Sequence, residues 1–213
     1  MSDSGKFIYT KTATNWFFIV LVFLAGIGSA TLVYFTFLAF DFDVKALINE
    51  VSLKSRPASF ALVASQQEFK LNDLIEVNIL LNTGKRTTTG IDVALKYDPE
   101  FLELQPKNPK IKIPKNGIIN PHDFINTEFS SFDIFPYFKL NNLTGSIFFS
   151  ALAKPLREVW DQGVVGALTF KALKQGDASI NLVFEKGAGN DSNIAYRGKD
   201  VLAKVYDLNF KIQ

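Results

Sequence analysis

No cysteine occurs in the 213 residues, and there is one histidine and one methionine. The missing cysteine excludes a disulfide framework, thiolate zinc and iron–sulfur sites, a cysteine nucleophile and a lipid-modified N-terminal cysteine. A single histidine removes most zinc and Ser-His-Asp arrangements. The charge balance is also slight, with a formal net charge of +2. No polybasic run appears, so a nucleic-acid partner has no electrostatic footprint. What is abundant is apolar: 47% hydrophobic residues against 21% charged, too greasy for a disordered chain. The length suits one or two domains around one core.

The apolar residues are not evenly spread. From Trp16 to Phe40 no charge, amide side chain, histidine or proline interrupts the run. As a helix, these residues extend roughly 37 Å against a hydrocarbon core of about 30 Å. Backbone in lipid must pair internally, so the run predicts a single transmembrane helix over 16–40. Trp16 at one end and Tyr34, Phe35, Phe37 and Phe40 at the other are placed as interfacial aromatics are. Gly28-Ser29-Ala30 offers a small-residue patch for signal cleavage, but the apolar run continues past it, which suits an anchor better. Lys6 and Lys11 precede the run, and Asp41 and Asp43 follow it. The positive-inside rule then makes 1–15 a short cytoplasmic leader, 41–57 a juxtamembrane linker and 58–213 an extracellular domain on a cell membrane.

Beyond Ala58 the pattern changes to short strands between turn residues. Nine are expected: Ser59–Ala64, Leu74–Asn82, Thr89–Tyr97, Phe101–Leu104, Asn126–Phe132, Gly145–Leu152, Val164–Leu173, Ala178–Phe184 and Val201–Ile212. Ile91, Val93, Leu95 and Tyr97 alternate with Asp92, Ala94 and Lys96, the mark of a strand with one face on a core. Turn chemistry separates the strands at Asn82-Thr83-Gly84, Tyr97-Asp98-Pro99, Lys174-Gln175-Gly176-Asp177 and Gly187-Ala188-Gly189-Asn190. The fold class is all-β, a jelly roll or related sandwich. Between Gln105 and Asp123, four prolines and Lys107, Lys110, Lys112 and Lys115 predict a solvated surface excursion.

Several segments, in this order, resemble the cohesin domain. They are Ser65 to Asp73 leading into Ile75-Glu76-Val77-Asn78-Ile79, then Gly90 to Pro99 followed by Phe101-Leu102-Glu103-Leu104. Gly145 to Ala151 and Gly166 to Leu173 with Gly176 complete the set. Cohesins are nine-stranded jelly rolls related to family-2 and family-3 carbohydrate-binding domains. The resemblance covers residues 58–213 and implies a flat sheet face that binds a dockerin module. It further implies that Asp92, six positions before Asp98 of Tyr-Asp-Pro, lies on that face with Ala94 and Lys96. In the Gly145 strand the outward set is Ser146, Phe148 and Ser150 if Ile147 and Phe149 fill the core, and an outward Phe148 would be an anchor.

Other readings compete. Related jelly rolls hold polysaccharide on coplanar aromatics, which brings Trp160, Tyr137, Tyr196 and Tyr206 forward. Gly189-Asn190-Asp191-Ser192-Asn193 with Asp200 collects oxygen ligands suited to calcium, though not at EF-hand spacing. His122 reads as a loop residue. No nucleophile signature or selected carboxylate pair points to an enzyme, and no cofactor is expected. A pilus-like subunit would also combine an apolar helix with a β-rich head, but no acidic residue lies in the first turns of the run. The expectation is a membrane-anchored, non-catalytic binding module for a dockerin-like protein or a polysaccharide.

Overall fold

Alternating side chains make a strand where one face is buried and the other wetted. In the computed structural model, which describes residues 57–213, Ile91, Val93, Leu95 and Tyr97 are buried, while Asp92 is half-buried and Lys96 exposed. The expected leader (1–15), membrane helix (16–40) and all but the last residue of the linker lie outside the described residues. Among the described residues no helix is long and apolar enough to cross a membrane.

The described chain forms fifteen strand segments rather than the nine expected. They are β1 (Ala58–Ala64), β2 (Glu68–Phe69), β3 (Leu74–Thr88), β4 (Gly90–Tyr97), β5 (Leu102–Gln105), β6 (Asn116–Ile118), β7 (Ile125–Asn126) and β8 (Ile134–Asn141). There follow β9 (Ser146–Leu152), β10 (Val159–Ala172), β11 (Gly176–Leu182), β12 (Asn193–Tyr196), β13 (Lys199–Asp200), β14 (Leu202–Tyr206) and β15 (Leu208–Ile212). One sheet runs β14-β1-β3-β10-β5, with β7 also on β10. The other runs β2-β15-β11-β4-β9-β8-β6, with β12 on β4 and β13 on β12. Phe60, Ile75, Val77 and Ile79 of the first sheet join Val93, Leu95, Ile147 and Phe149 of the second in one buried cluster. Within it, Phe138 stacks on Phe149 at 5.8 Å and on Phe124 at 5.9 Å. Each such ring contributes about 1.5–3 kcal/mol by leaving water.

Two strand expectations are corrected. Val201–Ile212 is not one strand. It breaks at Asp207, whose carboxylate accepts from Leu182 N–H at 2.7 Å, and the chain crosses there from the first sheet to the second. Asn126–Phe132 is not a strand beyond Asn126. Asn126 Oδ1 accepts from Glu128 N–H, and Ser130 Oγ from Phe132 N–H, closing local turns that compete with a ladder. This segment lies against β10, where a Cβ on Gly166 would stand 2.6 Å from Ile125 Cγ2, so only glycine admits it. The strand of this region is β8 instead. It contains Pro136, which sits exposed where the register between β8 and β9 shifts and no ladder donor is needed.

The excursion from Gln105 to Asp123 is only partly solvated. Its four lysines are exposed, but Ile111, Ile113 and Ile119 pack on the core and β6 extends the second sheet beyond β8. The Tyr-Asp-Pro turn forms as read. Asp98 Oδ1 accepts from Glu100 N–H at 2.8 Å, and the Tyr97 ring packs edge-on against Phe170 at 5.2 Å.

The Tyr97 hydroxyl donates to Asn142 Oδ1 at 2.6 Å. Burial first, and the nearby Glu103 charge second, push the phenol from 10.0 up to about 12. The folded state therefore holds this proton more tightly than the unfolded chain. The associated stability is complete below pH 10 and is lost as pH rises toward 12. Thermal midpoints measured across that window should fall more steeply for the native chain than for Tyr97→Phe, and equal slopes would contradict the assignment.

Candidate functional site

Strand parity assigns the outward side of the larger sheet. Its register places Asp92 opposite Ser150, and Ser150 opposite Tyr137. Ala94 faces Phe148, and Phe148 faces Lys139. Lys96 faces Ser146, and Ser146 faces Asn141. All six residues expected on a partner-binding face (Asp92, Ala94, Lys96, Ser146, Phe148 and Ser150) therefore share one side of β4 and β9. Tyr137 joins them from β8.

The face is apolar at one end. The Phe148 and Tyr137 rings meet edge-on at 6.0 Å. The next outward pair, Leu152 and Ile134, lies opposite in register and is 40% and 41% exposed. Sequence reading missed both. Leu152 followed from the parity that placed Phe148 outward, whereas Ile134 was hidden with the whole of β8.

Asp92 is not a free surface carboxylate. Ser150 Oγ donates to one oxygen, and Asn193 Nδ2 donates to the other at 2.7 Å. Ala94 is buried rather than presented, because the chain on its other side is tied to it. Val183 N–H donates to Ala94 O at 2.8 Å. The Ser192 hydroxyl accepts from Ala94 N–H at 3.0 Å and donates to Ala94 O at 3.2 Å. A side chain thus takes the place of a strand backbone where the chain loops out between β11 and β12. This arrangement fixes the backbone under the middle of the face.

Toward β11 and β15 the same side turns polar. A shallow hollow of about 490 Å³ is lined there by Gln67, Glu68, Asp177, Ser179, Asn209 and Lys211. An apolar end beside a polar margin on one sheet face matches the composition of protein-binding surfaces in general, where a few aromatic anchors carry most of the energy.

The other expected residues do not assemble. Trp160 is 66% exposed but stands on β10 of the smaller sheet, opposite Thr87, away from Tyr137 on the larger one. Tyr196 lies on β12 under the Arg197 guanidinium, and Tyr206 on β14. These rings form no common strip. Asp191 is buried, with one oxygen accepting from Glu185 N–H at 2.7 Å. Asp200 Oδ1 accepts from Ile194 and Leu202 N–H at 3.0 and 2.9 Å. The carboxylates suggested for calcium therefore serve as backbone caps. Among the described residues no three histidine, aspartate or glutamate side chains converge as metal ligands. His122 lies exposed on the 3-10 turn Pro121–Asp123, its ring edge toward Phe135.

No protein-family model and no curated protein matches the chain. Solved structures do. The second type II cohesin module from the adaptor ScaA scaffoldin of Acetivibrio cellulolyticus superposes with a TM-score of 0.55 at 11% identity, covering 70% of this chain and 85% of that one. Type II cohesin A11 from Bacteroides cellulosolvens gives 0.54 at 15% identity, over 73% and 99%. A type II cohesin–X-dockerin complex from Acetivibrio cellulolyticus gives 0.53 at 12% identity, over 73% and 99%. At these identities the likeness is one of fold. The described domain is a cohesin-like β-sandwich.

Proposed function

We propose that the chain is a membrane-anchored, surface-exposed, non-catalytic module that captures a dockerin-like protein partner. Capture occurs on the outward side of the larger sheet. The observation that carries this reading is the cluster of Phe148, Tyr137, Leu152 and Ile134 beside Asp92, Lys96, Ser146 and Ser150 on adjacent strands. The similar folds include a cohesin solved in complex with a dockerin, which supports the choice of partner. The apolar run 16–40 is the anchor, and Lys6 and Lys11 keep the leader in the cytoplasm, placing the sandwich outside.

A second reading, attachment to polysaccharide, is favoured by one observation, the exposed Trp160 ring. Titration of the full chain in nanodiscs separates the two. Purified dockerin modules should give saturable binding unaffected by Trp160→Ala. Retention on insoluble polysaccharide that is lost in Trp160→Ala, with no dockerin bound, would overturn the protein-binding reading.

A further inference from the structure

One end of the sandwich is basic and aromatic, and the chain enters the domain there. Ala58 begins β1 opposite Leu202, and Ser59 lies opposite Asn82. Just beyond Asn82, residues 83–86 bulge out of β3 against the single residue Asp161 of β10. Lys85 rides this bulge at φ 65° and Arg86 follows, both exposed. With Arg197 of the β12–β13 turn they line a cleft of about 360 Å³ that also holds Glu158, Thr87 and Tyr196. Lys199 and Lys204 are exposed nearby, on β13 and on β14 opposite Ser59. Arg157, just before β10, is paired with Asp133 at 2.8 Å. The other five cations at this end face three carboxylates, of which Asp200 already caps two backbone N–H groups and Asp161 is half-buried. Two large apolar side chains accompany them: Trp160, 66% exposed opposite Thr87, and Leu156, fully exposed in the loop before β10.

We propose that this end is a contact surface for anionic lipid headgroups, seating the domain on the bilayer that holds its own chain. The inference rests on the anchored reading above. Residues 41–57 span at most about 60 Å when fully extended, so the bilayer is within reach throughout. Lysine and arginine near an anionic leaflet gain about 1 kcal/mol each, and tryptophan favours the headgroup zone. Cationic charge and the exposed apolar side chains act together, as stable peripheral attachment requires two signals.

The chain has two tryptophans, Trp16 and Trp160, so each reports alone once the other is removed. The full chain carrying Trp16→Phe is reconstituted in vesicles of brominated phosphatidylcholine, with or without phosphatidylglycerol. Trp160 emission should be quenched and blue-shifted only when phosphatidylglycerol is present. Quenching should be lost in the triple variant Lys85→Glu, Arg86→Glu, Arg197→Glu, and in about 1 M salt. The Trp160→Phe chain reports Trp16 in the same vesicles and tests the anchor separately. Trp16 quenched with Trp160 unaffected overturns the contact surface while the anchor stands. Trp16 unquenched with Trp160 quenched by anionic lipid upholds the surface and removes the anchor. Quenching of Trp160 without phosphatidylglycerol, or a response to polygalacturonate and to no vesicle, overturns the proposal.

Discussion

Gly145→Ala lowers the stability of the sandwich by about 3 kcal/mol or more. Gly145 closes the β8–β9 turn at φ 60°, the left-handed region that side-chain-bearing residues avoid. A Cβ there would stand 1.8 Å from the Tyr97 carbonyl oxygen and 2.8 Å from its carbon. Those atoms are backbone and have no rotamer by which to yield. The two segments are also drawn together by the bond from Tyr97 N–H to Gly145 O at 2.8 Å, so relief of the clash breaks a ladder bond. Gly187→Ala is the control. Gly187 has φ 89° but nothing within 4 Å of its Cβ position, so only the backbone cost of about 1 kcal/mol applies. Urea unfolding of both variants measures the difference, and equal midpoints would contradict the clash.

Phe148→Asp reduces affinity for the captured dockerin-like module on the order of 100-fold, with the fold intact. The ring is half-buried on the outer side of β9 and touches Tyr137, so its loss removes an anchor without opening the core beneath. The new carboxylate sits opposite buried Ala94, beside an apolar patch that must shed water on docking, and desolvating it opposes binding. Circular dichroism should match the native chain while titration shows the loss. Trp160→Asp, on the other sheet, should bind as the native chain does. A Phe148→Asp chain that binds undiminished would remove this face from the account.

The face was legible where alternation was unbroken. Along β4 and β9, parity sets Asp92, Lys96, Ser146, Phe148 and Ser150 on one side, with Asp92 against Ser150. Ala94 on the same side is covered by Val183 and Ser192, contacts that alternation does not reveal. Tyr-Asp-Pro marks the turn that ends β4. Legibility failed where long-range contacts override local pattern. Pro136 hid β8, because proline argues against a strand unless a register shift frees its position, and a shift depends on the neighbouring strand. Val201–Ile212 reads as one run because the crossing at Asp207 is held by Leu182, a partner remote in sequence. The apolar character of the excursion after Gln105 was masked by its prolines and lysines, although Ile111, Ile113 and Ile119 reach the core. The pairing of Asp92 with Asn193 was invisible for the same reason: β12 reaches β4 only after the chain has looped out beyond β11.

Hydrogen exchange on the complex with a dockerin module locates the docking face on the sandwich. Protection should appear in the peptides spanning Ile134–Asn141 and Ser146–Leu152, with β4 already slow and β10 around Trp160 unchanged. Protection confined to β10, β14 or the β12–β13 turn, with β8 and β9 exchanging as in the free chain, would contradict capture on this face.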